Sequence, residues 1–240
     1  MDTQFYLHWT YRQLRLAAAT VLVVGTVAIV LIGWFKLGRI LPTLSHYYFS
    51  EDPAGLLRTL FTGMLIFVGG VMICYRGFDD RDNNVLNLAG GLALAVAFFP
   101  KQCDRFDIKC TEYSLSFLHM PAAVLLFFVA AYAVWYCGGK ALSDRLNERE
   151  KTHLTRWKTA SLLCMFSGVS FYVPHLFGIA PAPLTVALIV EMTGFFGFSF
   201  FWMGTSHVVF RANQRIAKAN GTPEDTGRLT PRAKIEPLIP

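Results

Sequence analysis

Charge is scarce in this chain. Asp, Glu, Lys and Arg make up 16% of its 240 residues, against 54% hydrophobic. A soluble domain carries about a quarter charged residues, so a water-soluble globule is excluded and the surplus apolar surface calls for lipid. No Lys or Arg lies deep within any apolar block. The net charge of +6 resides beside the blocks, chiefly between Gly138 and Lys158 and after Phe210. That placement argues against a nucleic-acid groove and fits topology signals and contact with anionic lipid headgroups.

Cysteine is sparse as well. Five residues are too few for a disulfide scaffold, and Cys74, Cys137 and Cys164 fall in or beside apolar blocks, where a thiol packs as a small hydrophobe. Cys103 and Cys110 share one polar loop, KQCDRFDIKC, as either a disulfide or two free thiols. No internal repeat is evident, which leaves an inverted-repeat transporter without support. No HxxxH or HExxH pair occurs, so the local spacing that marks a zinc hydrolase is missing. The acidic segment FDDRDNN, Phe78 to Asn84, lacks the ligand spacing of a calcium loop. Its expected role is to cap the following helix through Asp82 or Asn83.

What the chain has in abundance is apolar blocks of about twenty residues, the length a bilayer selects. The sequence predicts an all-α polytopic membrane protein: a six-transmembrane-helix bundle over residues 1–212, with spans near 14–35, 56–75, 84–100, 115–137, 159–179 and 184–210. A flexible basic cytoplasmic tail is expected over 213–240. The first block follows Arg12 and Arg15 but is too long for a secretory signal and has no small-residue cleavage site behind it, so an uncleaved anchor is expected. The third block is the weakest and crosses only with Asn83, Asn84 or Pro100 at the interface, or by thinning the bilayer. Sixteen Lys and Arg lie on the segments that share a side with both termini, and six on the opposite segments. The positive-inside rule therefore puts both termini in the cytoplasm, with the bacterial cytoplasmic (inner) membrane as the expected location and the Cys103 loop outside. Glycines inside the blocks, among them Gly63, Gly69, Gly70, Gly90, Gly91, Gly194, Gly197 and Gly204, permit close helix contact.

Glu191 is the carboxylate set well inside a span, seven residues beyond Leu184 and so about 10 Å along the helix. Such an acid faces the bundle or a wet cavity and is a functional candidate; the alternative is a protonated group bonding a neighbour as structural glue. His46, His119 and His175 come from different segments but fall at the same exterior end, near Ser45, Tyr47, Tyr48, Arg58, Tyr172 and Ser116. Three imidazoles with Glu191 as general base form a donor set suited to zinc and a bound water. Without a metal, the same histidines are polar end groups. Ser45, Tyr47, Tyr48, Arg58 and Tyr172 are the candidate ligand-binding residues, and the segment Leu41 to Tyr48 also reads as an interfacial re-entrant turn.

PTLSHYY with Arg58 and Gly63 behind it, NLAG at Asn87 to Gly90, LHMPAAVLLFF at Leu118 to Phe128, and Glu191 with FGFSFFW at Phe196 to Trp202 resemble a family of bacterial six-span integral membrane proteins whose activity is unassigned. More distantly, the Pro42-Thr43-Leu44-Ser45 segment is similar to that of damage-regulated autophagy modulator and Sfk-type six-pass proteins, which implies a link to lipid or glycolipid homeostasis. The alkaline ceramidase and adiponectin-receptor superfamily is a further comparison, with sites that combine a serine, an aspartate and three histidines; this chain lacks the paired histidines of that superfamily's last span. The expected function is thus a pocket for a lipid or a small amphipathic ligand. Its alternatives are a zinc-dependent lipid hydrolase, a proton- or ion-coupled transporter or channel built on Glu191, and a scaffold or effector. Membrane lipids and anionic headgroups are the expected partners; nucleic acid is not.

Overall fold

The computed structural model describes residues 3–49, 54–102, 115–137, 140–144, 146–171, 177 and 185–219. Its elements are α1 (Thr3–Leu37), α2 (Leu56–Cys74), α3 (Asp80–Phe98), α4 (His119–Tyr136), the short α5 (Lys140–Ser143), α6 (Glu148–Ser170) and α7 (Val186–Ala219). Two 3₁₀ segments, Leu44–Phe49 and Ser116–Leu118, precede α2 and α4. No strand occurs among the described residues. The all-helical class expected from the apolar blocks is the observed one.

Local chemistry fixes the helix ends. Asn147 and Glu150 form a reciprocal capping box at the start of α6, with bonds of 2.8 and 2.9 Å, which satisfies two orphan donors of the first turn. The cap of α3 is Asp79, not Asp82 or Asn83 as expected. Asp79 has extended backbone (φ −143°, ψ 175°) and its carboxylate accepts the Asp82 N–H at 2.7 Å. Asp82 instead lies inside the first turn, buried, and accepts the Phe78 N–H at 3.3 Å. With three acids in four residues, the one whose backbone is still extended takes the cap.

Among the described residues, four helical segments are long and apolar enough to cross a membrane: Thr10–Leu37, Leu56–Cys74, Ser116–Tyr136 and Val186–Ile216. α3 opens on DRDNN and α6 on EREKTH, so neither offers an apolar run of that length. α1 and α7 run on past their apolar cores, and α7 continues to Ala219 through residues assigned above to the tail. There Arg215 grips Glu150 of α6 with two bonds of 3.0 Å, a fork geometry that fixes orientation as well as charge.

The helices close into a ring. α1 packs on α2, α2 on α3, α3 on α4, α4 on α6, α6 on α7, and α7 returns to α1 while also touching α4. The first 3₁₀ segment lies against α1 and α2. Glycine permits a close crossing here: a methyl group on Gly90 would meet the Gly69 carbonyl at 2.6 Å, and one on Gly69 would meet the Gly90 carbonyl at 2.9 Å. α2 and α3 therefore touch backbone to backbone, the contact that small residues allow in membrane helices. Inside the ring lies one apolar core, with Leu22, Leu65, Met165 and Trp202 among its most buried members. A smaller cluster around Leu142, Leu154, Val208 and Val209 joins α5, α6 and the far half of α7.

Candidate functional site

The ring encloses a cavity of about 100 Å³. A single water needs about 10–15 Å³ of such space, so the cavity admits several waters or a run of acyl chain. Its wall is apolar, supplied by Leu22 of α1, Phe61, Leu65 and Val68 of α2, Ala93 and Val96 of α3, Ala123 and Phe127 of α4, Met165 of α6, and Phe195 and Phe198 of α7. Three side chains interrupt it with chemistry: Ser45, His119 and Glu191.

Glu191 stands between the first and second turns of α7. Its Oε2 accepts the Leu44 N–H at 2.6 Å, and one turn earlier the Leu188 N–H donates to the Pro42 carbonyl at 2.8 Å. Together these two bonds stitch the segment 42–44 to the head of α7. The carboxylate thus serves a buried backbone donor with one oxygen while its side chain borders the cavity.

His119 is the first residue of α4 and is buried. Its Nδ1 lies 2.6 Å from the Phe99 carbonyl at the end of α3. A carbonyl oxygen only accepts, so Nδ1 carries a proton. That bond orients the ring at the cavity wall.

Around Ser45 the chain is tightly wound. Thr43 Oγ1 is 3.0 Å from Ser45 Oγ and 2.6 Å from His46 Nδ1, and it accepts the His46 N–H at 3.2 Å. Ser45 lines the cavity, while Thr43 and His46 stand behind it. Thr43 was missed as a functional candidate. Its position inside Pro-Thr-Leu-Ser-His was the available signal, because a 3₁₀ turn brings residues three apart into register.

Tyr47 and Tyr48 do other work. Tyr47 is fully buried; its hydroxyl accepts the Leu41 N–H at 3.2 Å, and its ring fills the space that a side chain on Gly33 would occupy. Burial raises the phenol above its usual pKa, and the Leu41 bond opposes this only in part. Arg58 is exposed, its guanidinium 4.6 Å from the centre of the Tyr48 ring, a cation–π contact on the outer side of α2. Neither tyrosine nor Arg58 lines the cavity.

Of the three candidate histidines, His119 borders the cavity and His46 sits one residue behind Ser45. His175 and Tyr172 lie outside the described residues, as do Cys103 and Cys110. Among the described residues, no three His, Cys, Asp or Glu are grouped so as to hold a metal ion.

No family model matches the chain, and no solved structure matches it. Among curated proteins, it is similar to the N-acetylneuraminate (7)9-O-acetyltransferase of Danio rerio, at 23% identity over 210 residues. The match covers 86% of this chain and 24% of that protein, so the chain spans about a quarter of the relative's length.

Proposed function

We propose that this chain is a six-span integral membrane protein, with both termini in the cytoplasm, whose helical ring binds a lipid or small amphipathic ligand. The apolar part of the ligand occupies the cavity, and its polar group meets Ser45, His119 and Glu191 at the exterior end. One observation carries this reading: three polar side chains from three separate elements border a single, otherwise apolar cavity. Polar groups inside a membrane bundle are costly, and a hydroxyl, an imidazole and a carboxyl at one end of an oily space match the division of an amphipathic molecule. Six crossings are supported by the ring itself, because α3 packs along α2 and α4, and α6 along α7. A place in the bilayer keeps both beside helices that are long enough to span it.

A second reading, transfer of an acyl group to or from a hydroxyl at this site, is favoured by two observations. His119 borders the cavity with its Nδ1 proton held by the Phe99 carbonyl, and in the neutral tautomer Nε2 is the base that takes a proton from an attacking hydroxyl. The likeness to an O-acetyltransferase, although only 23% identical, extends over most of this chain.

A photoactivatable alkyl lipid, cross-linked to the protein in nanodiscs and mapped by peptide mass spectrometry, tests the pocket. Adducts on cavity residues such as Phe127 and Phe195 are expected, and Ala123→Phe, which fills the space, should reduce them. Adducts confined to outward-facing Val124 and Leu125, unchanged by Ala123→Phe, would refute the pocket.

A further inference from the structure

We infer that Ser45 is a covalent nucleophile, activated by a proton relay that runs through Thr43 to His46. This inference rests on the acyl-transfer reading of the same cavity and assigns the residue that carries the acyl group.

The relay takes one of the assignments of direction that the contacts allow. Thr43 Oγ1 accepts the His46 N–H and has a single proton to give. Its contact with His46 Nδ1 is 2.6 Å; in the tautomer with the ring proton on Nε2, the Thr43 hydroxyl donates there and the imidazole accepts. Thr43 Oγ1 then offers its remaining lone pair to Ser45, which donates across 3.0 Å. The chain of protons runs in one direction, from Ser45 Oγ to Thr43 Oγ1 to His46 Nδ1. Only the first member lines the cavity. A nucleophile in the pocket, with its base oriented behind it, is the arrangement that activated serines need. Ser45 and His46 are buried, at 8% and 7% exposed, with half-buried Thr43 between them.

The chemistry balances without a cofactor. The donor is an oxygen or sulfur ester of a carboxylic acid, and the acceptor is an alcohol or water. Ser45 Oγ bonds to the ester carbonyl carbon as its proton passes to Thr43 Oγ1 and the Thr43 proton passes to His46 Nδ1. The bond from that carbon to the donor's oxygen or sulfur breaks, and the leaving group takes the proton back through Thr43. The acceptor hydroxyl then attacks the acyl-serine while His119 Nε2 removes its proton, and Ser45 Oγ departs and is reprotonated by that imidazolium. His119, at the start of α4, and Ser45, in the segment before α2, border the same cavity, so both can serve one carbonyl carbon.

An alkyl fluorophosphonate, which reacts with activated serines whatever their natural substrate, tests this on the full chain in nanodiscs. Peptide mass spectrometry should find the adduct on Ser45 and not on Ser116, with labelling abolished in Ser45→Ala and retained in Ser116→Ala. Thr43→Val keeps the shape but cuts the relay, and should slow labelling by about 10²-fold, the usual contribution of a positioned base; Thr43→Ser should restore it. No labelling of the wild type, or labelling that Ser45→Ala leaves intact, overturns the inference. If ester turnover or alkyl cross-linking in the cavity persists in that case, the pocket reading survives and only the nucleophile falls. If both are absent, the two fail together.

Discussion

Removing the Glu191 carboxyl separates its structural work from its chemical work. Its oxygen is the acceptor for Leu44 N–H at 2.6 Å, and Leu44 is only 1% exposed, so Glu191→Ala leaves that donor without its protein partner. A buried donor left without a partner costs about 1–3 kcal/mol. For a chain of this size each kcal/mol moves the midpoint of thermal unfolding by about 2–4 °C, so Glu191→Ala should melt about 2–12 °C below wild type in a single detergent, followed by circular dichroism or intrinsic tryptophan fluorescence. Glu191→Gln keeps an amide oxygen at the same reach and should stay within about 2 °C, a loss under about 1 kcal/mol. The Leu188–Pro42 bond is intact in both variants and cancels. Equal losses in Ala and Gln, or no loss in Ala, would mean that the Leu44 contact does not hold α7 to the segment 42–44. The same pair of proteins divides the roles further. If the carboxyl meets the polar group of a ligand, Glu191→Gln should lower alkyl-lipid cross-linking while leaving the melting temperature alone; a purely structural Glu191 would leave both unchanged.

Gly90→Val should cost about 1–3 kcal/mol by overpacking the α2–α3 crossing, since its side chain would run into the Gly69 carbonyl; Gly91→Val, which meets open space, is the control, and denaturant titration in detergent reads the difference. Tyr47→Phe removes the acceptor of the buried Leu41 N–H and should lose about 1–3 kcal/mol in the same assay. In a cysteine-free background, Ala54→Cys should react with an impermeant maleimide from outside intact cells and Arg149→Cys only after permeabilisation; the reverse pattern would invert the orientation. Arg215→Ala and Glu150→Ala should show a coupling of no more than about 1 kcal/mol in a double-mutant cycle, because the pair is partly solvated.

The four long apolar helices were legible in the sequence because an apolar run of bilayer length has few alternatives, and the two weaker blocks fall on α3 and α6 over their described residues. The ends were less so. α7 outruns its apolar core because Arg215 finds Glu150, a partner 65 residues away that no local pattern announces. The cap of α3 went to Asp79 because backbone conformation, not residue type, separates it from Asp82. In the candidate site, the depth of Glu191 could be read from its distance into the block, but its partner Leu44 is 147 residues distant. Arg58 is the instructive case. Leu57, Phe61, Met64, Leu65 and Val68 are buried and form a stripe at helical spacing; Arg58, one residue out of phase with Leu57, belongs on the outer side, and the pattern that places it there was present in the sequence all along.

An aromatic layer adjoins the cavity. Phe198 borders the space and packs at a tilt against Trp202, with ring centres 5.0 Å apart; Trp202 in turn meets Tyr75 at 6.2 Å. All three rings are buried, and the Arg15 guanidinium rests against the far side of this layer, 5.5 Å from the centre of the Tyr75 ring. A cation in a low-dielectric interior is tolerated where aromatic faces meet it, and the same rings keep it out of the apolar space. The distance from Glu191 to Phe198 along α7 is seven residues, about 10 Å. On the proposed reading, a ligand's tail would span that distance while its headgroup met Ser45, His119 and Glu191, so Phe198 and Trp202 would limit the length of tail that the site takes.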